Sequence, residues 1–330
     1  MNIEVAKSAG FCFGVKRAVE MACEYAQKHD EIYTIGDIIH NKFAIQELTS
    51  NGVKNEENLD LIPDGSKTLI RAHGAGRKLY EDLEKKNCDI IDATCPFVRK
   101  IHEIVAEQEQ NGSEIFIIGA KNHPEVIGIG GWVNVHYVFY NVEELEEFTK
   151  NNPSFTDKYV SIVAQTTIDR KNFKKIEKFI KKQYTNVKIF DTICKATNVR
   201  QQEVLSLAER NDAVIVIGDE KSSNTKRLYE ISKSVCENSY LIESVADLDK
   251  FSIKTSNLGI TAGASTPAYI IKEVIDNMSN QELSFEEMLN ESFKTLNTGD
   301  KVTGIITHVA ANEVQVDLGV KHSGYIAVSE

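Results

Sequence analysis

The stretch Asp92-Ala93-Thr94-Cys95-Pro96-Phe97-Val98-Arg99-Lys100 places a cysteine between a short apolar strand pattern and the start of a basic helical pattern. The same arrangement recurs around Cys12 and around Cys194. Each of these cysteines is therefore predicted at a strand-to-helix turn. Amide N–H groups at the start of a helix favour a thiolate over a thiol, so the three turns are candidate positions for metal ligands.

Two further elements follow each cysteine and make the pattern an internal repeat. A strand ending in Ile-Gly comes first, with its glycine 24 residues after the cysteine, at Gly36, Gly119 and Gly218. A polar residue lies four positions beyond each glycine, at His40, His123 and Ser222. In each copy a further strand follows and ends at a polar residue. This residue is His73 in the first copy, Thr166 in the second and Ser265 in the third. Because ligands collect at the carboxyl ends of parallel strands, each copy offers one cysteine and two polar groups along one sheet edge.

The repeat predicts an α/β fold with three lobes related by pseudo-threefold symmetry. Their expected bounds are about 13–94, 95–193 and 194–283, with the N-terminal strand added to the last, so that one large domain covers 1–283. A linker is expected over 284–298. From 299 to 330 a β pattern resembles the first strands of the OB-fold RNA-binding module that is repeated in the largest small-subunit ribosomal protein. Only about half of such a barrel is present, so we interpret the chain as a shortened piece of a longer fusion.

Composition narrows the class of protein. The 330 residues are 42% hydrophobic and 26% charged, as in ordinary soluble globular chains. No apolar run approaches the roughly 20 residues of a membrane helix, and the N-terminus has no signal-peptide core. We therefore expect a cytoplasmic protein with no membrane contact and with reduced cysteines. A net charge of −11 argues against nucleic acid as the main partner of the large domain.

Three thiolates without a fourth repeat copy leave two metal sites open. One is a zinc completed by histidine or water; the other is an iron–sulfur cluster with one iron free of protein ligand. The surroundings favour the cluster. Ser222-Ser223-Asn224-Thr225 is predicted at the first turn of a helix, where N–H groups and hydroxyls form a cradle suited to phosphate, and the repeat histidines occupy the corresponding positions. A redox-silent zinc would leave that cradle without an obvious purpose.

The stretch His123-Pro124-Glu125 supplies a candidate general acid. Glu125 is the carboxylate beside a repeat-position imidazole, on a segment predicted to be a loop restrained by Pro124. Gly128, Gly130 and Gly131 are expected to form a flexible turn after it. The remaining histidines, His102 among them, and Cys23, Cys88 and Cys236 are interpreted as surface or core residues. The basic helix over 170–182 is interpreted as a solvated face.

Seven motifs together resemble one family, the 4-hydroxy-3-methylbut-2-enyl diphosphate reductases (LytB), from residue 1 to about 280. They are Gly10-Phe11-Cys12-Phe13-Gly14-Val15 with Arg17-Ala18, Asp92-Ala93-Thr94-Cys95-Pro96, His123-Pro124-Glu125, Gln165-Thr166-Thr167, Asp191-Thr192-Ile193-Cys194, Ser222-Ser223-Asn224-Thr225 and Thr261-Ala262-Gly263-Ala264-Ser265. Asp219-Glu220-Lys221 departs from the family pattern by carrying more charge. The resemblance implies three lobes around a central 4Fe-4S cluster. It also implies a two-electron reductive removal of the allylic hydroxyl, which gives isopentenyl and dimethylallyl diphosphates at the end of the methylerythritol phosphate route.

The resemblance also implies residue roles. Cys12, Cys95 and Cys194 would hold the cluster, one iron of which lacks a protein ligand. The diphosphate would be bound by His40, His73, His123, Ser222, Ser223, Asn224 and Ser265. Glu125 would deliver the proton, with His123 beside it and Thr166 both relaying the proton and orienting the substrate alcohol. The electron donor would be a protein such as ferredoxin or flavodoxin, and RNA would bind only through a complete C-terminal module.

Two other classes stay open on the sequence alone. A quinolinate-synthase-like 4Fe-4S dehydratase also combines three lobes with one cysteine from each, but it would need cradles for small carboxylates. An RNA-associated binding protein, with the tail as its active part, is disfavoured by the acidic charge and by the half-built OB fold.

Overall fold

The computed structural model describes residues 1–29, 31–253 and 255–279, and in the tail the segments 305–309, 313–317 and 323–327. The described residues fall into two compact units. One comprises Met1–Lys16, His40–Ala44 and the chain from Lys195 onward, and the other comprises Arg17–Ile39 and Ile45–Cys194.

The first part of the chain alternates strands and helices, as the repeat predicts. Its elements are β1 (Asn2–Val5), α1 (Phe13–Lys28), β2 (Ile32–Ile35), α2 (Lys42–Ser50), β3 (Val53–Glu56), β4 (Lys67–Ile70), α3 (Arg77–Lys85) and β5 (Asp89–Asp92). Four of these strands form a parallel sheet in the order β3-β2-β4-β5.

The middle part of the chain builds a second sheet. Its elements are α4 (Pro96–Gln110), β6 (Glu114–Ile118), α5 (Pro124–Gly130), β7 (His136–Phe139), α6 (Val142–Asn151), β8 (Tyr159–Ala164), α7 (Arg170–Gln183) and β9 (Asn186–Ile189). The strand order is β7-β6-β8-β9, again parallel. The central strand β6 is buried on both faces because helices cover the sheet, which explains its unbroken apolar run.

The third sheet has the same order of strands but closes with the beginning of the chain. Its elements are α8 (Lys195–Arg210), β10 (Ala213–Ile217), α9 (Ser223–Val235), β11 (Ser239–Ile242), β12 (Asn257–Ala262) and α10 (Ala268–Ser279). The order is β11-β10-β12-β1, with Val5 paired to Ile260. In each sheet the edge strand that leads to a cysteine pairs with the last strand of a repeat copy. These pairs are β5 with β4, β9 with β8, and β1 with β12. The predicted α/β class with three parallel-sheet lobes is confirmed.

The segment after His123 is a helix, so the predicted loop and glycine turn were wrong. His123 is the N-cap of α5, and its Nδ1 accepts the N–H of Glu125 at 3.1 Å. Pro124 fits the first helical position because its missing N–H would have no partner there. The glycines are needed for close packing rather than for flexibility, since a Cβ on Gly131 would lie 2.6 Å from the Cα of Gly76.

Helix α7 is amphipathic and packs on the core of the second sheet. Phe173, Ile176 and Ile180 are buried in a cluster that also holds Phe116 and Tyr184. The basic residues occupy the remaining faces of the helix. The prediction that these cations face solvent is confirmed by their exposure.

The tail contains three antiparallel strands, β13 (Ile305–Val309), β14 (Glu313–Asp317) and β15 (Ser323–Ala327), joined in that order. β14 and β15 lie on the strand patterns predicted over 313–319 and 324–327, whereas β13 overlaps the pattern predicted over 301–306 only at Ile305 and Ile306. The expected linker over 284–298 lies outside the described residues, and the assignment of the tail to an OB-fold module stays a prediction. Of the helices that the structure describes, none combines the length and apolar character needed to cross a membrane.

Candidate active site

The three repeat cysteines are anchored by the same backbone hydrogen bond. The amide N–H of Cys12 donates to the carbonyl of Ala264, that of Cys95 to Ala72, and that of Cys194 to Thr166, each at 3.0 Å. Each accepting carbonyl lies two residues beyond the end of the third repeat strand of its sheet. The neighbouring strand therefore delivers every cysteine to the carboxyl edge of a sheet, where ligands bind in open α/β folds.

Each anchored cysteine also stands directly before a helix. Phe13 begins α1, Pro96 begins α4 and Lys195 begins α8. The carbonyl of Cys95 accepts the N–H of Arg99 at 2.9 Å, and that of Cys12 accepts the N–H of Lys16 at 2.9 Å. All three turns therefore place the cysteine at the N-terminal, electropositive end of a helix.

The other three cysteines lack this setting. Cys23 lies within α1, Cys88 precedes β5, and Cys236 caps the end of α9. Burial raises the pKa of Cys23, and the carboxylates of Glu47 and Glu20 raise it further, which keeps that thiol protonated. All six cysteines lie in the described part of the chain and form no disulfide. Cys12, Cys95 and Cys194 therefore differ from the other three cysteines in being anchored at strand-to-helix turns.

Glu125 is a buried carboxyl held by one neighbour. It is 2% exposed, and its Oε1 and Oε2 accept the N–H and the hydroxyl of Thr166 at 2.6 and 2.7 Å. Burial raises the pKa of Glu125 to about 7, although the hydrogen bonds from Thr166 act in the opposite direction. Near neutral pH this side chain can therefore carry a proton and donate it, as a general acid must.

Two repeat imidazoles meet in the same unit. The rings of His73 and His123 are in edge-to-face contact with their centroids 5.5 Å apart. Because the Nδ1 of His123 accepts the N–H of Glu125, its Nε2 is left as the hydrogen-bond donor of the neutral ring. The predicted general acid and this imidazole are thus positioned by one helix start.

The ends of the third strands align one residue away from the expected register. His73 and Ser265 lie three residues beyond β4 and β12, and the residue three beyond β8 is Thr167. Thr166 instead matches Ala72 and Ala264, whose carbonyls anchor cysteines. Thr167 accepts a hydrogen bond from Gln165 Nε2 at 3.0 Å, and Gln165 Oε1 accepts the N–H of Ala120 at 3.1 Å. Counting from strand ends rather than from the preceding polar residue would have singled out Thr167 as well.

The start of α9 forms the predicted polar cradle. Ser222 is the N-cap and accepts the N–H of Thr225 at 3.4 Å. Ser223 and Asn224 form the first turn, and Asn224 is only 4% exposed. Its Nδ2 has no hydrogen-bond partner within the described part of the chain. A buried amide donor without a partner is costly, so this atom is poised to bind an acceptor from a ligand.

Two glycines beneath this polar helix start allow the backbone to approach Thr225 closely. A Cβ on Gly263 would lie 2.0 Å from Thr225 Oγ1, and Gly218 has a positive φ of 146°. Ser265, two residues after Gly263, donates its hydroxyl to the carbonyl of His40 at 2.8 Å. The same unit therefore brings together the predicted residues His40 and Ser265.

Sequence reasoning did not find that the imidazole of His102 packs against the turn that carries His73. His102 on α4 is 2% exposed and stacks on the indole of Trp132, with centroids 5.2 Å apart. A Cβ on Gly74 would lie 2.6 Å from its Cε1, so the imidazole supports the turn that carries His73. Burial lowers the pKa of His102 to about 4. This ring is neutral and part of the core, as its place outside the repeat predicted.

The predicted site residues are divided between the two units. Cys12, His40, Ser222, Ser223, Asn224 and Ser265 belong to one; His73, Cys95, His123, Glu125, Thr166 and Cys194 belong to the other. Together the fold and these residues define a class of α/β proteins in which each of three parallel sheets presents one cysteine at a strand-to-helix turn.

Comparison with known proteins narrows this class to a family. The model of the family described as LytB protein matches residues 3–279. The 4-hydroxy-3-methylbut-2-enyl diphosphate reductase of Caldanaerobacter subterraneus subsp. tengcongensis is 43% identical over 286 residues, which cover 85% of this chain and 97% of the relative. The chain belongs to the LytB protein family.

Two solved structures and one longer relative complete the comparison. A structure of (E)-4-hydroxy-3-methyl-but-2-enyl diphosphate reductase is 38% identical with a TM-score of 0.63, covering 85% of this chain and 100% of its own. The Plasmodium falciparum reductase is 29% identical with a TM-score of 0.79, covering 86% and 90%. The Clostridium tetani reductase matches at 38% identity over 339 residues, which are 100% of this chain and 52% of the relative. That last alignment includes the tail.

Proposed function

We propose that this chain is a 4-hydroxy-3-methylbut-2-enyl diphosphate reductase, the terminal enzyme of the methylerythritol phosphate route. It removes the allylic hydroxyl of its substrate with two electrons and two protons, and yields water with isopentenyl or dimethylallyl diphosphate. The observation that carries the proposal is the buried Glu125 carboxyl, held by Thr166, whose carbonyl in turn anchors Cys194. A proton donor is thereby tied to a turn that presents a thiol.

The three anchored cysteines fit an iron–sulfur cluster. Cys12, Cys95 and Cys194 would hold it, since each is delivered to a sheet edge by the same hydrogen bond and stands before a helix. When bound, a 4Fe-4S cluster with three thiolate ligands supplies the electrons and one open Lewis-acidic iron. The two electrons come from an external donor, for which we propose ferredoxin or flavodoxin.

The diphosphate would be held by amide, hydroxyl and imidazole groups. Asn224 contributes its buried Nδ2, and Ser222 and Ser223 contribute hydroxyls beside the N–H groups that begin α9. A helix start with these groups is suited to phosphate. His40, His73, His123 and Ser265 are the other proposed ligands.

The proton that converts the departing hydroxyl to water would come from Glu125. Hydroxide is a poor leaving group, so cleavage of the C–O bond needs an acid within hydrogen-bond reach. Burial keeps Glu125 protonated up to about pH 7, and the Thr166 hydroxyl, 2.7 Å away, can relay the proton and orient the substrate alcohol. His123 positions the acid by capping its helix.

The alternative classes are not favoured. The similarity to reductases covers about 85% of the chain. This similarity favours a reductase over a quinolinate-synthase-like dehydratase and over a binding-only protein. For the tail we propose a relationship to the OB-fold RNA-binding module. We also propose a cytoplasmic location.

The test is anaerobic purification followed by iron and sulfide analysis and by turnover with dithionite-reduced methyl viologen. We expect about four irons and four sulfides per chain, and both isoprenoid diphosphates as products. A single bound zinc, or loaded protein that leaves the substrate unchanged, would overturn the proposal.

A further inference from the structure

Helix α7 concentrates positive charge in an acidic chain. Its 14 residues include seven lysines and arginines and one glutamate, whereas the whole chain has a net charge of −11. Arg170 pairs with Asp191 and Lys181 with Glu177. The other five cations are exposed and form no ion pair with any residue that the structure describes: Lys171, Lys174, Lys175, Lys178 and Lys182. Unpaired like charges on one helix are unfavourable without a partner, so this surface is suited to an anionic one.

A groove of about 310 Å³ runs between α7 and β9. Its lining combines the apolar residues Phe173, Val187 and Ile189 with charged residues: the cations Arg170, Lys174 and Lys181 and the carboxylates Glu177 and Asp191. An apolar centre with a charged rim is the usual composition of a protein–protein contact. Nucleic acid fits less well, because α7 has no exposed aromatic side chain on which a base could stack.

The groove ends close to one of the anchored cysteines. Asp191, which lines the groove, precedes Cys194 by three residues. Three residues span at most about 11 Å. Between them Thr192 exchanges hydrogen bonds of 2.7 Å with the backbone of Ala164, the end of β8, and Cys194 is anchored to Thr166. The segment from the groove to the thiol is therefore short and fixed at both ends.

We propose that the groove and the exposed cations of α7 form the docking site for an acidic, low-potential electron-carrier protein that delivers electrons through the Cys194 segment. This inference rests on the proposed function and adds the face that the donor uses. Each carrier molecule gives up one electron and is oxidised, so two deliveries supply the two electrons that reduce the substrate. Because the chain is acidic overall, an acidic carrier is repelled elsewhere and is steered to α7.

The experiment compares two charge-reversed variants of the cluster-loaded protein. Lys174→Glu with Lys178→Glu alters the proposed face, and Lys233→Glu with Lys272→Glu makes the same change in charge at exposed positions of α9 and α10. Binding of an acidic bacterial ferredoxin is measured by titration calorimetry at low and high ionic strength. Turnover is measured with that reduced ferredoxin and, separately, with reduced methyl viologen.

We expect the α7 variant to bind the ferredoxin at least about tenfold more weakly at low salt, with the difference shrinking at 0.5 M salt because the charges are screened. Its ferredoxin-driven turnover should fall in parallel, its viologen-driven turnover should be unchanged, and the control variant should resemble wild type. Equal effects of the two variants on binding, or no effect of either, would overturn the docking site. Failure of wild type with both reductants would instead overturn the proposed function.

Discussion

Glu125 and Thr166 are joined by two hydrogen bonds that end on different oxygens of one carboxylate, one from the backbone N–H at 2.6 Å and one from the hydroxyl at 2.7 Å. The carbonyl of Thr166 meanwhile accepts the amide of Cys194 at 3.0 Å. One residue therefore fixes the orientation of the proposed acid and anchors a proposed cluster ligand. Movement of either turn would be transmitted to the other.

Replacing Glu125 by glutamine should slow turnover with little effect on substrate affinity. Glutamine keeps the size and polarity of the side chain but has no acidic proton, and a positioned general acid contributes about 10²–10⁴-fold in rate. We expect kcat to fall by that factor. In wild type, turnover should fall as pH rises through about 7, because the carboxyl loses its proton there. A near-normal kcat in the variant would move the acid elsewhere, most simply to a water held by Thr166.

The same carboxyl should make stability depend on pH. Burial raises its pKa from an ordinary value of 4.5 to about 7. Between these values the carboxyl ionises in the unfolded chain while it stays protonated in the folded one, so the free energy of unfolding falls as pH rises through this window and levels off above about pH 7. The expected loss is on the order of 3 kcal/mol.

Urea unfolding of cluster-loaded wild type and Glu125→Gln at pH 5, 6, 7 and 8 measures this effect. The variant lacks this titrating carboxyl. Its midpoint urea concentration should therefore rise relative to that of wild type between pH 5 and pH 7. Glu147→Gln, at an exposed position of α6, should show a constant gap. A constant gap for Glu125→Gln as well would contradict the buried-carboxyl assignment.

Substitution of single cysteines by serine should separate ligands from other thiols. Loss of Cys12, Cys95 or Cys194 should lower bound iron and abolish activity, because only these three share the anchored turn. Cys23, Cys88 and Cys236 serve as internal controls, and their serine variants should retain wild-type iron. The argument from the repeat is wrong if any control cysteine proves as important as the three.

Asn224→Asp should raise KM for the diphosphate. The substitution keeps the shape of a side chain that is 4% exposed but replaces its unpartnered Nδ2 by a carboxylate oxygen, which repels an anionic substrate. Since a diphosphate group that does not react is bound equally in ground and transition states, KM should rise by about tenfold or more with a smaller change in kcat. Asn238→Asp, at an exposed position immediately before β11, is the matched control. An unchanged KM would remove Asn224 from the binding site.

The tail should be dispensable for the reductase reaction. It contains none of the repeat elements, and α10 ends at Ser279. A chain ending at Asn280 should keep its iron and its kcat. A chain ending at Pro267 should lose both, because α10 buries Ile270, Ile271, Val274 and Ile275 in the third lobe. If the longer truncation product also lost its cluster or activity, the tail or its connector would have a role in the catalytic domain.

Much of the fold could be predicted because its signals are local and occur three times. A strand, a cysteine and a helix follow one another in each copy, and the three parallel sheets confirm that interpretation. The polar start of α9 could also be predicted, since a serine cap and its first turn depend on neighbouring residues only.

Other features depend on residues far apart in the sequence and needed the tertiary structure. Glu125 lies two residues after His123 in the sequence, but burial in the fold raises its pKa, and its oxygens accept hydrogen bonds from Thr166, 41 residues away. The helix at Pro124–Gly130 has a glycine-rich sequence that predicts a turn, but in the fold the backbone of Gly76 packs against Gly131, which caps the end of this helix. A carboxyl is desolvated, and a glycine helix is stabilised, only by what packs around it. The chemistry of the residues was therefore determined by the sequence, whereas their protonation and register were decided by the tertiary structure.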